Sequence, residues 1–378
     1  MSLTQDIKDH ALDLGYSRVG VTTAAAFEGH VEELRARADM YAFHIGSARA
    51  PLVASDPRAA YPGAQSIVSV AYDYARVSFP SSLTEHIGRL YLARCYEPPP
   101  TRINGARYQL MERYLRQRGC QVLGPVKKGH PERLVAARAG IATFGDNTFA
   151  YAGAGGSFVV LSSFVIDVEL EYDQPTVESR CPRGCTRCID ACPTGALYAP
   201  RKLNPRRCIA YNNWITAGRS GIDTHIPLDV REQMGVKVHG CDVCQEVCPR
   251  NARVFGRGGG TDPFLERVAR DFSLTGLLEL TEEFYARCVS PIMYNYIQDR
   301  RWFRRNAAIA LGNLGDREHV TDLGRALSDP EDVVRAHAAW ALGRVGGARA
   351  RSLLDAGLGR EACGEVVEEI RGALEQLG

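Results

Sequence analysis

The spacing of apolar residues predicts a mixed α/β fold for residues 1 to about 175. Apolar positions in Gln5–Gly15 recur as on one helix face, and glycine commonly ends helices. Helices are also predicted over Glu85–Cys95 and Ala106–Gln117. Runs rich in β-branched residues predict strands at Arg18–Val21, Ser66–Tyr72 and Phe158–Val168.

From about residue 290 the sequence is helical and repetitive. Arg304–Gly315 matches Arg335–Gly346 at an offset of 31 residues, with seven of twelve positions identical. Such a period is typical of stacked helix pairs, and this segment resembles HEAT repeats. Two copies alone would be marginally stable, so the segment is expected to pack against the rest of the chain. The alternative is that it is only a stabilising cap.

Composition and charge exclude several classes of protein. With 45% hydrophobic and 24% charged residues in 378, the chain is typical of a globular protein of two or three domains. It has no stretch near the ~18 apolar residues that a membrane span needs, and its N-terminus lacks the pattern of a signal peptide. A net charge of +2 excludes a uniformly polybasic nucleic-acid binder. We expect a cytoplasmic monomer without membrane contact.

The cysteines are the unusual feature of the composition. Eight of the twelve lie between Cys181 and Cys248. Disulfides would be unstable in a reducing cytosol, so metal ligation is the better interpretation. The other four are scattered and are predicted to be small buried residues: Cys95, Cys120, Cys288 and Cys363.

The eight clustered cysteines contain two Cys-x2-Cys-x3-Cys-Pro runs, which are typical of bacterial two-cluster ferredoxins. In that arrangement the cysteine before proline ligates the other cluster. Structural zinc is the alternative, but it explains neither the prolines nor the paired runs. We therefore assign one [4Fe-4S] cluster to Cys181, Cys185, Cys188 and Cys248, and the second to Cys192, Cys208, Cys241 and Cys244.

One spacing departs from the ferredoxin pattern. Cys181 and Cys185 are separated by three residues, where a ferredoxin run has two. A one-residue bulge containing Pro182 and Gly184 is expected to absorb the difference.

Further motifs extend the picture beyond a ferredoxin. They include Asp56–Val70, Gly145-Asp-Asn-Thr148, Cys192-Pro-Thr-Gly-Ala196, Cys208-Ile-Ala-Tyr211, Gly240–Pro249, Arg305–Asn313 and His337–Gly343. Together they resemble the epoxyqueuosine reductase family, cobalamin and iron–sulfur enzymes that complete queuosine in tRNA and are related to reductive dehalogenases. The resemblance implies an oxidoreductase in which electrons from two [4Fe-4S] clusters reach cobalamin, and in which a protein acid protonates the departing oxygen.

The fold class that follows is an α/β (α+β) N-terminal domain, a bacterial two-cluster ferredoxin-like module and C-terminal α-helical HEAT-like repeats. The predicted boundaries are 1–175 for the cobalamin-binding and substrate domain and 176–255 for the ferredoxin-like domain. A linker with connecting helices follows over 256–289, and the HEAT-like repeats span 290–378.

The resemblance also implies residues that contact the cofactor or transfer protons. Gly145, Asn147, Thr148, Tyr211 and Gln245 are the candidate cofactor contacts. The acid–base residues depart from the family pattern, because Lys127 or Lys128 stands where the family has an aspartate proton donor. In the family's Asp-Tyr-His stretch only the tyrosine is kept, as Tyr96, with Cys95 and Glu97 at the acid and histidine positions. The candidate catalytic residues are Tyr96, Glu97, Lys127 and His130.

Two partners are predicted. Arg300, Arg301, Arg304 and Arg305 lie around Trp302 and Phe303, a combination that can bind tRNA phosphates and stack on bases. The alternatives are a solvated face or an internal salt-bridge network. A reductase of this kind also needs an external electron donor, a ferredoxin or flavodoxin.

Three functions remain open from the sequence. The first is reduction of epoxyqueuosine in tRNA. The second is a paralogue that has the same cofactors and reduces a different small molecule. The third is an iron–sulfur electron-transfer protein without a corrinoid.

Overall fold

A computed structural model describes residues 2–45, 51–95, 103–124, 131–176, 181–214, 225–255, 259–293 and 299–378. Its strands are β1 Arg18–Thr23, β2 Ser66–Asp73, β3 Val122–Gly124, β4 Thr143–Phe144, β5 Ala150–Tyr151, β6 Val159–Ile166, β7 Leu197–Ala199 and β8 Lys202–Leu203.

Its first helices are α1 Leu3–Asp13, α2 Glu28–Ala36, α3 Ala38–Ile45, α4 Pro51–Ala54, α5 Pro57–Ala60, α6 Ser81–Thr84, α7 Arg89–Leu92, α8 Ile103–Gln117, α9 Glu132–Arg138, α10 Arg187–Asp190 and α11 Ile209–Trp214. The later ones are α12 Leu228–Gln233, α13 Val243–Glu246, α14 Ala252–Phe255, α15 Pro263–Asp271, α16 Leu274–Glu279, α17 Glu282–Phe284, α18 Arg301–Leu314, α19 Val320–Ala326, α20 Asp332–Val345, α21 Ala348–Leu358 and α22 Gly364–Gln376. Among the described residues no helix is both long and apolar enough to cross a bilayer.

The chain divides into two compact units, each built from separate segments. The first unit comprises Met1–Ser78, Glu97–Pro205 and Val243–Gly260; the second comprises Phe79–Tyr96, Arg206–Asp242 and Thr261–Gly378. This division follows packing and not chain continuity, so the predicted boundaries at 175, 255 and 289 stay predictions.

The first unit is built on an antiparallel sheet of order β1-β2-β6-β3. The predicted strands and the helix predicted at Gln5–Gly15 are confirmed, and Gly15 has the left-handed φ of +88° that a helix end favours. Helices α1 and α8 cover one face, where Ile7 and Met111 pack around Phe164. Helix α9 covers the other face. The domain is therefore α+β, because its sheet has no parallel crossover among the described strands.

The helix predicted over Glu85–Cys95 is wrong. Two short helices, α6 and α7, stand there, because the chain between them pairs with a distant segment of the second unit. Ile87 forms a parallel bridge with His239, and the N–H of Gly88 donates to the His239 carbonyl at 2.8 Å. Tertiary pairing thus overrides the helical pattern.

The predicted repeats are confirmed as stacked helices in the second unit. Helices α18, α20 and α22 form one layer and α19 and α21 the other. Gly312 and Gly343 occupy the same repeat position, and a Cβ at either would lie 2.8 Å from an atom of the next helix, Ala341 or Ala373. The layer also shares its core with α16. The repeats are therefore built into the unit and are more than a cap.

Glu132 is a carboxyl group enclosed between α9 and the sheet. Ser163, on the α9 face of β6, donates its hydroxyl to Oε1 at 2.9 Å. The other oxygen, Oε2, is shielded from solvent and has no hydrogen-bond partner among the described residues. Burial raises the pKa of Glu132 from 4.5 to about 7, and the hydrogen bond from Ser163 opposes this only in part.

The close approach of α18 and α20 can be tested with a methyl group. Gly312→Ala places a Cβ against the backbone and Cβ of Ala341, so we expect the free energy of unfolding to fall by about 1–2 kcal/mol. Gly372→Ala, in an open position on α22, should raise it by up to about 1 kcal/mol. Thermal unfolding of both variants checks the contrast; equal midpoints would contradict the packing.

The buried carboxyl of Glu132 should make stability depend on pH. Its folded-state pKa lies above the unfolded value, so its stability contribution is complete below pH 4.5 and is lost as pH rises through about 7. We expect Glu132→Gln to be more stable than the parent by about 3 kcal/mol at pH 8 and by about 1 kcal/mol at pH 5. Denaturant titrations measure this. Glu169→Gln, on an exposed residue of the same unit, is the control and should show no such trend.

Candidate metal centre

The four cysteines assigned to the first cluster line one cavity in the first unit. Cys181, Cys185, Cys188 and Cys248 share it with residues of the β4–β5 hairpin, and it encloses about 300 Å³ including its solvent-facing mouth. Their sulfurs come from two distant stretches of sequence. The structure thus brings together the set that the ferredoxin pattern predicts.

Local backbone structure presents these cysteines. Cys188 lies in α10, and Cys248 precedes a short 3-10 helix, Pro249–Asn251, that begins at proline. The extra residue between Cys181 and Cys185 is accommodated in a turn. In this turn Gly184 has a φ of +73° and the N–H of Cys185 donates to the Pro182 carbonyl at 3.0 Å. A glycine is favoured there because L-residues rarely adopt that φ.

Two hydrogen bonds from the hairpin reach cysteine sulfurs. The backbone N–H of Asp146 donates to Cys181 Sγ at 3.3 Å, and the hydroxyl of Tyr151 donates to Cys248 Sγ at 3.0 Å. Donors of this kind stabilise thiolates, which are the form that binds iron.

The thiol of Cys188 resists ionisation in the protein. Burial raises the pKa of Cys188 to about 11, and the neighbouring Cys248 and Cys181 act in the same direction. Iron binding therefore has to displace protons from the cavity. Within the described ranges no three His, Cys, Asp or Glu side chains converge as ligands of a single ion. A cubane spreads its thiolates over separate iron atoms.

The cysteines assigned to the second cluster are distributed over both units. Cys192 and Cys244 belong to the first, and Cys208 and Cys241 to the second. The assignment of these four to one cluster stays a prediction.

Helix α18 fixes the backbone beside the two cysteines of the second unit. Arg305 donates to the Asn212 carbonyl at 2.7 Å, and the amide of Asn306 donates to the carbonyls of Asn213 at 2.8 Å and Val238 at 2.9 Å. Asn213 in turn exchanges two hydrogen bonds with Gly240, the residue before Cys241. The first repeat helix therefore holds the segments that carry Cys208 and Cys241.

This position makes part of the tRNA prediction wrong. Arg305 is only 1% exposed, and burial lowers the pKa of its guanidinium to about 9. It cannot contact RNA. Arg300, Arg301 and Arg304 are more accessible, but each has an acidic neighbour: Arg300 with Glu282 at 2.9 Å, Arg301 with Asp299 at 2.7 Å and Arg304 with Asp329 at 3.3 Å. Internal ion pairs, the alternative weighed from the sequence, thus account for much of this cluster.

The predicted cofactor contacts have partners inside the protein. Asn147 is 2% exposed and donates to Tyr151 Oη and to the Cys244 carbonyl. Gln245 accepts from the Ser157 hydroxyl at 2.8 Å, and Thr148, with a φ of +69°, offers its carbonyl to Arg133. Tyr211 is buried, which raises its pKa. A side chain at Gly145 would collide with Asn147 and Tyr151. Their contact with a cofactor stays a prediction.

The candidate catalytic residues, Tyr96, Glu97, Lys127 and His130, lie outside the described residues.

Two residues near the site were missed from the sequence. Tyr151 and Arg250 belong to the hairpin contact with Cys248, and no spacing signals them, because only folding brings residue 151 to residue 248. Elsewhere in the first unit, the raised pKa of Glu132 beside Ser163 depends on burial and is equally invisible in the sequence.

Comparison with known families identifies two of the predicted domains. A 4Fe-4S double cluster binding domain matches residues 180–251, which hold all eight clustered cysteines. The chain therefore carries a domain for two iron–sulfur clusters. HEAT repeats match residues 295–375.

Comparison with whole proteins gives the family. The chain is 32% identical over 363 residues to epoxyqueuosine reductase of Pseudomonas aeruginosa, covering 91% of this chain and 95% of the relative. It is 29% identical over 383 residues to that of Bacillus cereus, covering 99% and 97%. The crystal structure of epoxyqueuosine reductase with an epoxyqueuosine-modified tRNA-Tyr stem loop is similar with a TM-score of 0.83 at 27% identity, covering 99% and 98% of the two chains. The structure from Bacillus subtilis gives 0.82 at 27%, covering 100% and 99%. The chain belongs to the epoxyqueuosine reductase family and is an oxidoreductase.

Proposed function

We propose that this protein reduces epoxyqueuosine in tRNA, using electrons that pass through two [4Fe-4S] clusters. One observation carries the proposal: Cys181, Cys185, Cys188 and Cys248 line a single cavity in a chain that aligns with epoxyqueuosine reductases over nearly its full length. The similar structure that holds a modified tRNA stem loop favours tRNA as the substrate.

The reaction removes the epoxide oxygen as water and leaves a carbon–carbon double bond, which requires two electrons and two protons. Iron–sulfur clusters supply electrons singly. The part of this chain is to hold the clusters and donate to their sulfurs, as Asp146 and Tyr151 do at Cys181 and Cys248. We infer a ferredoxin or flavodoxin as the external donor, because the domain that matches residues 180–251 carries electrons and does not generate them.

Proton supply is proposed for titratable residues in the two stretches that depart from the family's acid–base pattern. Glu97, Lys127 and His130 each carry a group able to donate a proton, and Tyr96 is beside the first. Their assignment rests on position in the sequence relative to the family motifs.

Cobalamin is proposed on the family resemblance. When bound, it supplies a strongly reducing metal centre. Of its predicted contacts, Asn147 and Gln245 already use side-chain polar atoms inside the protein. Those atoms would have to give up their protein partners in order to hold a corrinoid.

The ion pairs at the start of α18 limit which arginines could contact tRNA there. Arg300, Arg301 and Arg304 would have to exchange an acidic partner for a phosphate, whereas Arg305 is excluded by burial. Phosphate oxygens accept charge-assisted hydrogen bonds from a guanidinium, just as carboxylate oxygens do, so the exchange is chemically reasonable.

A paralogue that reduces a different small molecule is the second candidate. The observation in its favour is the basic residue, Lys127 or Lys128, where the family has an aspartate. Such a protein would keep the electron path and change the acid–base residues. A corrinoid-free electron-transfer protein is the third.

The cluster assignment predicts metal content. Anaerobically reconstituted protein should hold about eight irons per chain, and Cys188→Ala about four. Cys363→Ser, at a half-buried cysteine outside the two runs, is the control and should keep about eight. Iron and sulfide analysis measures this. Zinc in the parent protein, or an unchanged iron count in Cys188→Ala, would contradict the assignment.

The substrate is tested with tRNA that carries epoxyqueuosine. We expect conversion to queuosine, read by mass spectrometry of the nucleosides, and a corrinoid absorption spectrum after incubation with cobalamin. The variant that lacks the proton donor, Glu97→Gln or Lys127→Ala, should lose about 10²-fold or more in turnover. Glu169→Gln is the control.

The outcomes separate the three candidates. Corrinoid binding without tRNA conversion favours the paralogue. Two clusters without a corrinoid spectrum favour the electron-transfer protein. Unchanged turnover in both variants removes Glu97 and Lys127 as donors.

A further inference from the structure

We propose that the β4–β5 hairpin raises the reduction potential of the cluster held by Cys181, Cys185, Cys188 and Cys248, with Tyr151 as the positioning residue that donates to a ligand sulfur. The inference rests on the cluster assignment made under the proposed function. It concerns residues that the ferredoxin pattern does not contain.

The direction of the hydrogen bond from Tyr151 is fixed by its neighbours. Tyr151 Oη lies 3.0 Å from Cys248 Sγ and 2.9 Å from the side-chain nitrogen of Asn147. Since that nitrogen can only donate, the phenol oxygen accepts from Asn147. The Ser157 hydroxyl is also a hydrogen-bond neighbour of the phenol, and the phenol proton is donated to Cys248 Sγ.

The orientation of the Asn147 amide is itself over-determined. Its nitrogen also lies 3.1 Å from the carbonyl oxygen of Cys244, which can only accept. Its oxygen lies 3.3 Å from the backbone N–H of Phe149, which can only donate. A flipped amide would break both contacts, so the relay from Asn147 through Tyr151 to Cys248 has one polarity.

The ring of Tyr151 is held in place and kept dry. It is 6% exposed, and the guanidinium carbon of Arg250 lies 3.7 Å from its centroid. Arg250 is fixed in turn by hydrogen bonds to the Phe144 carbonyl at 3.0 Å and the Thr143 hydroxyl at 2.5 Å, both on β4. The cation therefore clamps the ring against the hairpin that carries it.

The hairpin needs glycine at position 145 for the same reason. A Cβ there would lie 2.5 Å from both Asn147 Oδ1 and Tyr151 Cε2. Gly145 and Asn147 thus have a role beside the cluster ligands that requires no contact with another cofactor.

A donor to a ligand sulfur favours reduction of the cluster. The reduced cluster carries one more negative charge, which is shared with its thiolates, and hydrogen bonds stabilise it more than the oxidised form. Low exposure strengthens the effect. The N–H of Asp146, at 3.3 Å from Cys181 Sγ, acts in the same sense from the same hairpin.

The test is a redox titration of reconstituted full-length protein, followed by electron paramagnetic resonance. Tyr151→Phe keeps the ring and removes the donor. We expect one of the two clusters to shift to lower potential, by up to about tenfold in the one-electron equilibrium constant, or about 59 mV. Tyr198→Phe, at an exposed tyrosine of the same unit, should leave both potentials unchanged.

Asn147→Ala supplies a second, independent variant. It should also lower that potential, because the Tyr151 hydroxyl then loses the donor that orients its proton toward Cys248. The double variant should be no lower than Tyr151→Phe alone, since both act through one hydrogen bond. Additive shifts, or unchanged potentials in both single variants, would overturn the inference.

Iron content separates this inference from the proposed function. About eight irons with unchanged potentials in the variants would overturn the tuning role and leave the cluster assignment standing. Fewer than about eight in the parent protein would overturn both.

Discussion

The first unit has to hold four cysteine sulfurs around one cavity. Burial and the neighbouring thiols raise the pKa of Cys188. A thiolate at this position is therefore electrostatically unfavourable unless positively charged iron balances its negative charge. The protein meets part of this demand with its own donors at Cys181 and Cys248. The β4–β5 hairpin carries both donors. Its Tyr151 ring is held by the close approach at Gly145, by the hydrogen bond from Asn147 and by the contact with Arg250.

In the second unit, buried backbone carbonyls beside two predicted cluster ligands need hydrogen-bond donors. Arg305 and Asn306 are buried on α18 and satisfy the carbonyls of Asn212, Asn213 and Val238. Buried polar groups of this kind specify one arrangement, because leaving any of them unpaired costs more than the bond contributes. On the same helix, Gly312 allows close packing on α20. The repeats therefore couple helix packing to the placement of two predicted cluster ligands.

What the sequence predicted well was set by local spacing. The cysteine runs, the repeat offset and the main strands are periodic or short-range, and the structure contains them. The helix predicted at Glu85–Cys95 was wrong because Ile87 and Gly88 pair with His239, about 150 residues away. The arginines at the start of α18 resemble a binding surface in the sequence, yet Arg305 is interior, since neither burial nor ion pairing can be inferred from a run of charges.

Metal ligands can be predicted from local sequence, whereas proton donors cannot. A ligand is recognised by residue type and spacing, because a cluster fixes the separations between its thiolates. A proton donor is defined by its pKa, which burial and neighbours set after folding. Glu132 illustrates the difference: nothing in its sequence context distinguishes it from Glu169, yet enclosure beside Ser163 raises its pKa to about 7. The cysteines of the double cluster domain can therefore be recognised in the sequence, whereas a proton donor is defined only by the environment that folding gives to its side chain.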